Sequence, residues 1–270
     1  MQTNDVDAAY LRYQYDDAEK LRIRIETHAR YSERTEDTFA SWLLAHVDAA
    51  RGHLLLDVGC GSGVYHAALS GAGVSIVGLD ASRGMLREVL GADHAGVDAA
   101  QANAERLPCR DGGFDRVMAN HMLYHVPDQA AALREMRRVL KPGGRAVFAT
   151  NSADNFADFD ALHRAAAATL GYSTSPHDAA RVTLDDLPLV RSAFPSAAVF
   201  VREDTFVFPE SAPALRYYAS GPIDWIEDRP ADGGHREPLL REVGAAIEAI
   251  IARDGSFRVA KTAGCFVADV

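Results

Sequence analysis

The chain has little cysteine, little lysine and no long apolar run. Its 270 residues include three cysteines, Cys60, Cys109 and Cys265. An odd number at scattered spacing makes neither a disulfide framework nor a metal-type cluster, so reduced thiols in a cytoplasmic protein are expected. No stretch of 18 apolar residues occurs, which argues against a membrane-spanning helix. The start, Met1-Gln2-Thr3-Asn4-Asp5, lacks the basic beginning of a signal peptide. Lysine appears three times against 25 arginines, and the formal net charge is −10. The one basic cluster, Arg134, Arg137, Arg138 and Lys141, falls on the exposed side of an expected helix. A nucleic-acid binder usually carries a basic face, so neither a nucleic acid nor a membrane is expected as a partner. No internal repeat or low-complexity linker is present.

What is present is a sharp signal at Leu54-Leu55-Leu56-Asp57-Val58-Gly59-Cys60-Gly61-Ser62-Gly63. An apolar run stops at an acid and three alternating glycines, and Val64, Ala67, Ala68 and Leu69 follow at helical spacing. That pattern predicts a buried strand, a tight turn and a helix start. Glycine permits positive φ and lets a ligand approach the bare backbone, and the helix amides that follow are expected to face the same ligand. Dinucleotide enzymes space their glycines as G-x-G-x-x-G, but here Val64 stands where that pattern needs the third. An acid two residues before the first glycine also suits an ammonium-bearing ligand better than a pyrophosphate.

The line D-V-G-C-G-S-G resembles motif I of the class I S-adenosylmethionine-dependent methyltransferases, and later blocks follow in that family's order. Val74–Leu79 ends in Asp80, and Ala81-Ser82-Arg83-Gly84-Met85-Leu86 is similar to the second motif. Asp80 is then either the acceptor for a ribose diol or a cap of the next helix. Asn103-Ala104-Glu105-Arg106-Leu107-Pro108 is similar to the family's adenine-contacting segment, except that its leading acid is Asn103 here. The stretch Ala119-Asn120-His121-Met122-Leu123-Tyr124-His125-Val126-Pro127-Asp128, with Arg138-Val139-Leu140-Lys141-Pro142-Gly143-Gly144 after it, resembles a bacterial branch rich in small-molecule enzymes. The resemblance is close over about residues 54–150. It implies an α/β fold with a doubly wound, Rossmann-like seven-stranded sheet whose last strand is antiparallel. It also implies S-adenosylmethionine as cofactor, with S-adenosylhomocysteine as product.

Flanking regions are expected to shape the acceptor site. Residues 1–50 form a helical lid, with Leu11, Tyr15, Ala18, Leu21, Ile25 and Ala29 on one apolar face and Phe39, Trp42, Leu43 and Val47 on another. The rest, 51–270, is the methyltransferase domain, with an inserted cap at about 151–235. Arg24, His28, Tyr31 and Ser32 match the family's R-I-x-x-H-x-x-[YF]-S pattern. Arg24 is either a fork for the methionyl carboxylate or a solvated helix charge. Tyr15 either closes over the sulfonium or only packs. The resemblance implies cofactor contacts at Tyr15, Arg24, Tyr31, Asp57, Gly59, Cys60, Gly61, Asp80, Ala81, Met85, Asn103, Ala104, Asn120, His121 and His125.

A sulfonium methyl is already electrophilic, so alignment and exclusion of water supply most of the catalysis. A hydroxyl or carbon acid needs a base, and histidine has a suitable pKa. His121 is the candidate, as general base, as a positioning group or as a structural residue; His125 is structural or cofactor-lining. Three functions follow: O- or N-methylation of a small metabolite in secondary metabolism, C-methylation of a quinone-like substrate, or cofactor binding without transfer. Neither the acceptor atom nor the oligomeric state is legible in the sequence.

Overall fold

The apolar runs become strands β1 (Leu54–Val58), β2 (Ser75–Asp80), β3 (Val97–Gln101), β4 (Phe114–Asn120), β5 (Leu140–Asn151), β6 (Ala198–Phe208) and β7 (Phe257–Asp269). They form one seven-stranded sheet in the order β3-β2-β1-β4-β5-β7-β6. Strands β1 to β5 are mutually parallel where they pair, and β7 runs antiparallel to β5, as the doubly wound reading requires. The computed structural model describes residues 18–92, 94–174, 182–227, 229–230 and 232–270. Helices are α1 (Ala18–Tyr31), α2 (Phe39–Val47), α3 (His66–Gly71), α4 (Arg83–Gly91), α5 (Gln129–Val139), α6 (Ala157–Leu170), α7 (Leu187–Ala193), α8 (Ser211–Ala219) and α9 (Arg236–Asp254).

Local chemistry explains the boundaries near the site. The Ser82 side chain caps α4, which buries Met85, Leu86 and Val89. Asp128 caps α5 by accepting from the Ala131 amide at 2.8 Å, and Ala132, Leu133, Met136 and Val139 face inward as their spacing predicts. The Lys141-Pro142-Gly143-Gly144 turn does not stand outside the sheet. It is absorbed into β5 as an irregularity: Phe114 pairs with Leu140, and the next paired residue, Arg116, meets Arg145. Gly143, at φ +75°, donates to the Val270 carbonyl at 2.7 Å, and Val270 donates back to Gly144 at 3.0 Å.

The chain divides into two compact units. One contains residues 36–153, 182–202 and 262–270 and carries most of the sheet, whose core includes Leu56, Val117, Leu133, Met136, Phe148 and Phe266. The other contains residues 18–35, 154–174 and 203–261. Its core is aromatic, built from Phe159, Phe206, Phe208, Tyr217, Tyr218 and Phe257 with Leu239, Val243 and Ile247 of α9. In this division α2 and α7 belong with the sheet, and α1 and α9 belong with the aromatic core.

Candidate active site

The carboxyl ends of β1, β2 and β4 bring most of the expected residues together. In an open α/β sheet these ends are where ligands bind. Gly59, Gly61 and Gly63 all adopt positive φ, at 68°, 54° and 75°, but for different reasons. A Cβ on Gly59 would stand 2.7 Å from the Met122 side chain, and one on Gly63 would stand 2.6 Å from His66 Nδ1. A Cβ on Gly61 would meet nothing within 4 Å. The middle glycine is the one that leaves space open for a ligand.

The loop amides are taken up within the protein. Gly59 and Cys60 donate to the Leu79 carbonyl at 2.7 and 3.1 Å, and Gly63 donates to Cys60. Gly61 donates to Asp80 Oδ2 at 2.8 Å. The Gly59, Cys60 and Gly61 amides thus hold the loop to the end of β2, and Gly63 closes the turn on itself, because a buried amide must find a partner somewhere. The following helix also begins later than its apolar spacing suggests. It starts at His66 and lasts six residues, so Val64 precedes it and is exposed.

Asp80 does two jobs at once. Besides Gly61, it accepts from the Ser82 amide through Oδ1 at 2.7 Å, while Ser82 itself caps the helix. Each carboxylate oxygen retains a further lone pair for a hydroxyl. Beside it, Gln101 fastens the Ala81 carbonyl at 2.8 Å and accepts from Arg83 Nε at 2.8 Å. No motif marked Gln101 in the sequence; its place opposite Asp80 in the β2–β3 register reveals it. Ala81 is exposed, and Met85 is buried.

Asn103 lies on the loop after β3, and its carboxamide is engaged locally. Its oxygen accepts from the Glu105 amide at 2.8 Å, and its nitrogen donates to the Glu105 carboxylate at 3.3 Å. Glu105 also accepts from the Asp128 amide, so Ala104 sits in a loop braced at both sides. The Asn103 oxygen keeps one lone pair beyond that turn.

At the tip of β4, Asn120 is the clearest sign of an intended ligand. Its Oδ1 and Nδ2 are both buried, and neither has a hydrogen-bond partner. A buried carboxamide with both ends unmet is costly. His121 follows with φ +53°, a conformation rare for a non-glycine residue and often tied to function. Its amide donates to the Ala149 carbonyl at 2.9 Å, and its ring lies 5.6 Å from Phe39. His125 is exposed in a single 3₁₀ turn, its ring edge-on to Tyr124 at 4.4 Å.

Beneath the loop, Asp57 is buried and pairs with His66, whose Nε2 lies 2.9 Å from Asp57 Oδ2. Burial pushes the Asp57 carboxyl up, the His66 hydrogen bond and charge pull it back, and Asp80 adds to the rise. Burial, with Asp57 and Asp80 nearby, also pushes the Cys60 thiol up, which favours the protonated thiol over the thiolate. His66 was missed in the sequence because it interrupts the apolar spacing on which the helix was read.

The remaining expected residues belong to the other unit or lie outside the described residues, as Tyr15 does. Arg24 donates to the Ser220 carbonyl at 2.6 Å, so it is neither purely solvated nor committed to a carboxylate. Tyr31 packs on Phe208 at 5.1 Å. What these two do toward a cofactor rests on the resemblance alone.

Comparison with known proteins agrees with this geometry. Residues 56–148 match the model of a methyltransferase domain. The demethylmenaquinone methyltransferase of Renibacterium salmoninarum is 31% identical over 193 residues, covering 70% of this chain and 73% of that protein. The chain belongs to the class I S-adenosylmethionine-dependent methyltransferases. The ubiquinone biosynthesis O-methyltransferase of Ralstonia nicotianae is 41% identical over 103 residues, 37% of this chain and 43% of that one. Against the first curated relatives, the match spans about half of the relative's length or less. YcgJ of Bacillus subtilis shares the fold, with a TM-score of 0.57 and 20% identity over 85% of this methyltransferase chain and 97% of the other.

The family's methyl donor is S-adenosylmethionine, and the residues present fit it. The unmet Asn120 carboxamide, the open space over Gly61 and the spare lone pairs of Asp80 suit a ligand that combines an amino acid with a ribose diol. Among the described residues no helix is long and apolar enough to cross a membrane, and no cluster of three or more His, Cys, Asp or Glu is arranged to hold a metal.

Proposed function

We propose that this chain transfers a methyl group from S-adenosylmethionine to an oxygen or nitrogen of a small metabolite, in secondary metabolism. The observation that carries the reading is the orphaned carboxamide of Asn120 beside the left-handed His121. Both stand at the strand end where an acceptor must approach. Asp80 would hold the ribose diol, Asn120 the methionyl end, and Asp57 the ammonium side. Ala81, Met85, Asn103 and Ala104 would border the adenine. When bound, the cofactor supplies an electrophilic methyl, so the protein's share is alignment and exclusion of water.

For a hydroxyl acceptor, His121 removes the proton as the oxygen attacks; for a neutral amine it only positions. The free thiols Cys60, Cys109 and Cys265 suit a reducing cytoplasm. A quinone-like acceptor is the second reading, favoured by the Renibacterium and Ralstonia relatives.

Calorimetry with S-adenosylhomocysteine and NAD tests the cofactor, and methyl transfer to a fractionated metabolite extract tests the acceptor class. His121→Ala should lower kcat on a hydroxyl acceptor by about 10²–10⁴, with cofactor affinity nearly intact and partial recovery at high pH. Tight NAD binding without S-adenosylhomocysteine binding would overturn the assignment.

A further inference from the structure

We propose that His66 is a positioning residue of the cofactor loop: with Asp57 it forms a buried pair that takes up one proton, and that proton competes with a cationic ligand. The proposal rests on reading the loop as an S-adenosylmethionine site.

The geometry is specific. The His66 ring is fully buried and wedged between two glycines. A Cβ on Gly63 would stand 2.6 Å from its Nδ1, and one on Gly78 would stand 3.1 Å from its Cε1. Nε2 reaches Asp57 Oδ2 at 2.9 Å, while Nδ1 is buried without a partner. An apolar side chain would fill this space without an unmet polar atom, so packing alone does not account for a histidine here. Its hydrogen bond instead fixes the direction of Asp57, the acid two residues before Gly59.

The groups around the pair come from three elements. Asp57 comes from β1, Asp80 acts on Asp57 from the tip of β2, and Cys60 and Tyr65 lie along the loop. Burial pushes the Cys60 thiol and the Tyr65 hydroxyl up, Asp57 adding to both, so neither changes charge near neutrality. As pH falls, the pair gains one proton and its charge goes from −1 to 0, whichever side chain holds that proton. A ligand ammonium is attracted to the pair at −1 and not at 0. By linkage, binding the cation then expels the proton, and affinity falls roughly tenfold per pH unit once the pair is protonated.

Full-length protein titrated calorimetrically with S-adenosylhomocysteine, from about pH 8.5 to about pH 5.5, tests this. In His66→Gln the amide nitrogen replaces the Nε2 hydrogen bond to Asp57, and the imidazole no longer shares the proton, which only the Asp57 carboxyl is left to take. The ligand's own amine titrates identically against both proteins and cancels. Wild type should lose at least tenfold more affinity than His66→Gln across that range, and the two should agree within about threefold near pH 8.5. Titrations in buffers of different ionisation enthalpy should count up to one proton released by wild type beyond the ligand's own.

Should His66→Gln fail to fold, the wild-type proton count decides alone, and no release beyond the ligand's own overturns the proposal. Equal pH slopes in the two proteins overturn it while leaving the cofactor reading intact. Failure of wild type to bind at any pH overturns both.

Discussion

Asp80 Oδ2 accepts from the Gly61 amide at 2.8 Å, tying the tip of β2 to the middle glycine of the loop. One carboxylate thereby shapes the loop and, on the proposed reading, holds the ribose. Asp80→Ala should lower S-adenosylhomocysteine affinity by at least tenfold, about 1.5–3 kcal/mol for lost hydrogen bonds to a charged acceptor. It should also loosen the loop, because the Gly61 and Ser82 amides lose their acceptor. Calorimetry beside near-ultraviolet circular dichroism measures both. Unchanged affinity would leave Asp80 with a structural role only.

Two glycines separate stability from binding. Both have positive φ, so alanine at either carries strain of about 1–2 kcal/mol. Gly63→Ala additionally drives a Cβ into His66, whereas Gly61→Ala meets no protein atom. Gly63→Ala should therefore lower Tm distinctly more than Gly61→Ala. Gly61→Ala should instead lose cofactor affinity, its methyl entering the space left for the ligand. Thermal melts and cofactor titrations on both variants would expose an inverted order, which would mean the ligand does not lie over Gly61.

Asp57 sets stability against function. Its carboxyl is pushed up by burial, despite His66. A carboxyl raised in the folded state contributes stability that is fully present below its unfolded pKa of about 3.9 and is lost as pH rises through the folded value. Asp57→Asn removes that loss and still accepts from His66 Nε2. The variant should gain stability relative to wild type as pH rises from acid to neutral, while binding cofactor more weakly. Urea unfolding at acid and neutral pH measures the difference, and a constant offset at all pH values would contradict it.

The sequence by itself determined the strands that end at the site, β1, β2 and β4, and the family. Apolar runs ending at Asp57, Asp80 and Asn120 can be read locally, because a strand, a glycine turn and a helix cap each depend on a few adjacent residues. Helix α5 was legible for the same reason, with its buried residues at steps of three and four. Tertiary structure decided which glycine serves what. Gly59, Gly61 and Gly63 look equivalent in the chain, but Met122 and His66 occupy the space beside two of them only after folding. His66 and Gln101 were invisible for a related reason. Their partners, Asp57 on β1 and Ala81 after β2, meet them only across the folded sheet and loop. The division into two units was likewise undecided by local pattern. Whether α9 joins the core around Leu56 and Phe148 or the aromatic core around Phe159 and Phe208 depends on which apolar surface it meets, and hydrophobic burial is not directional.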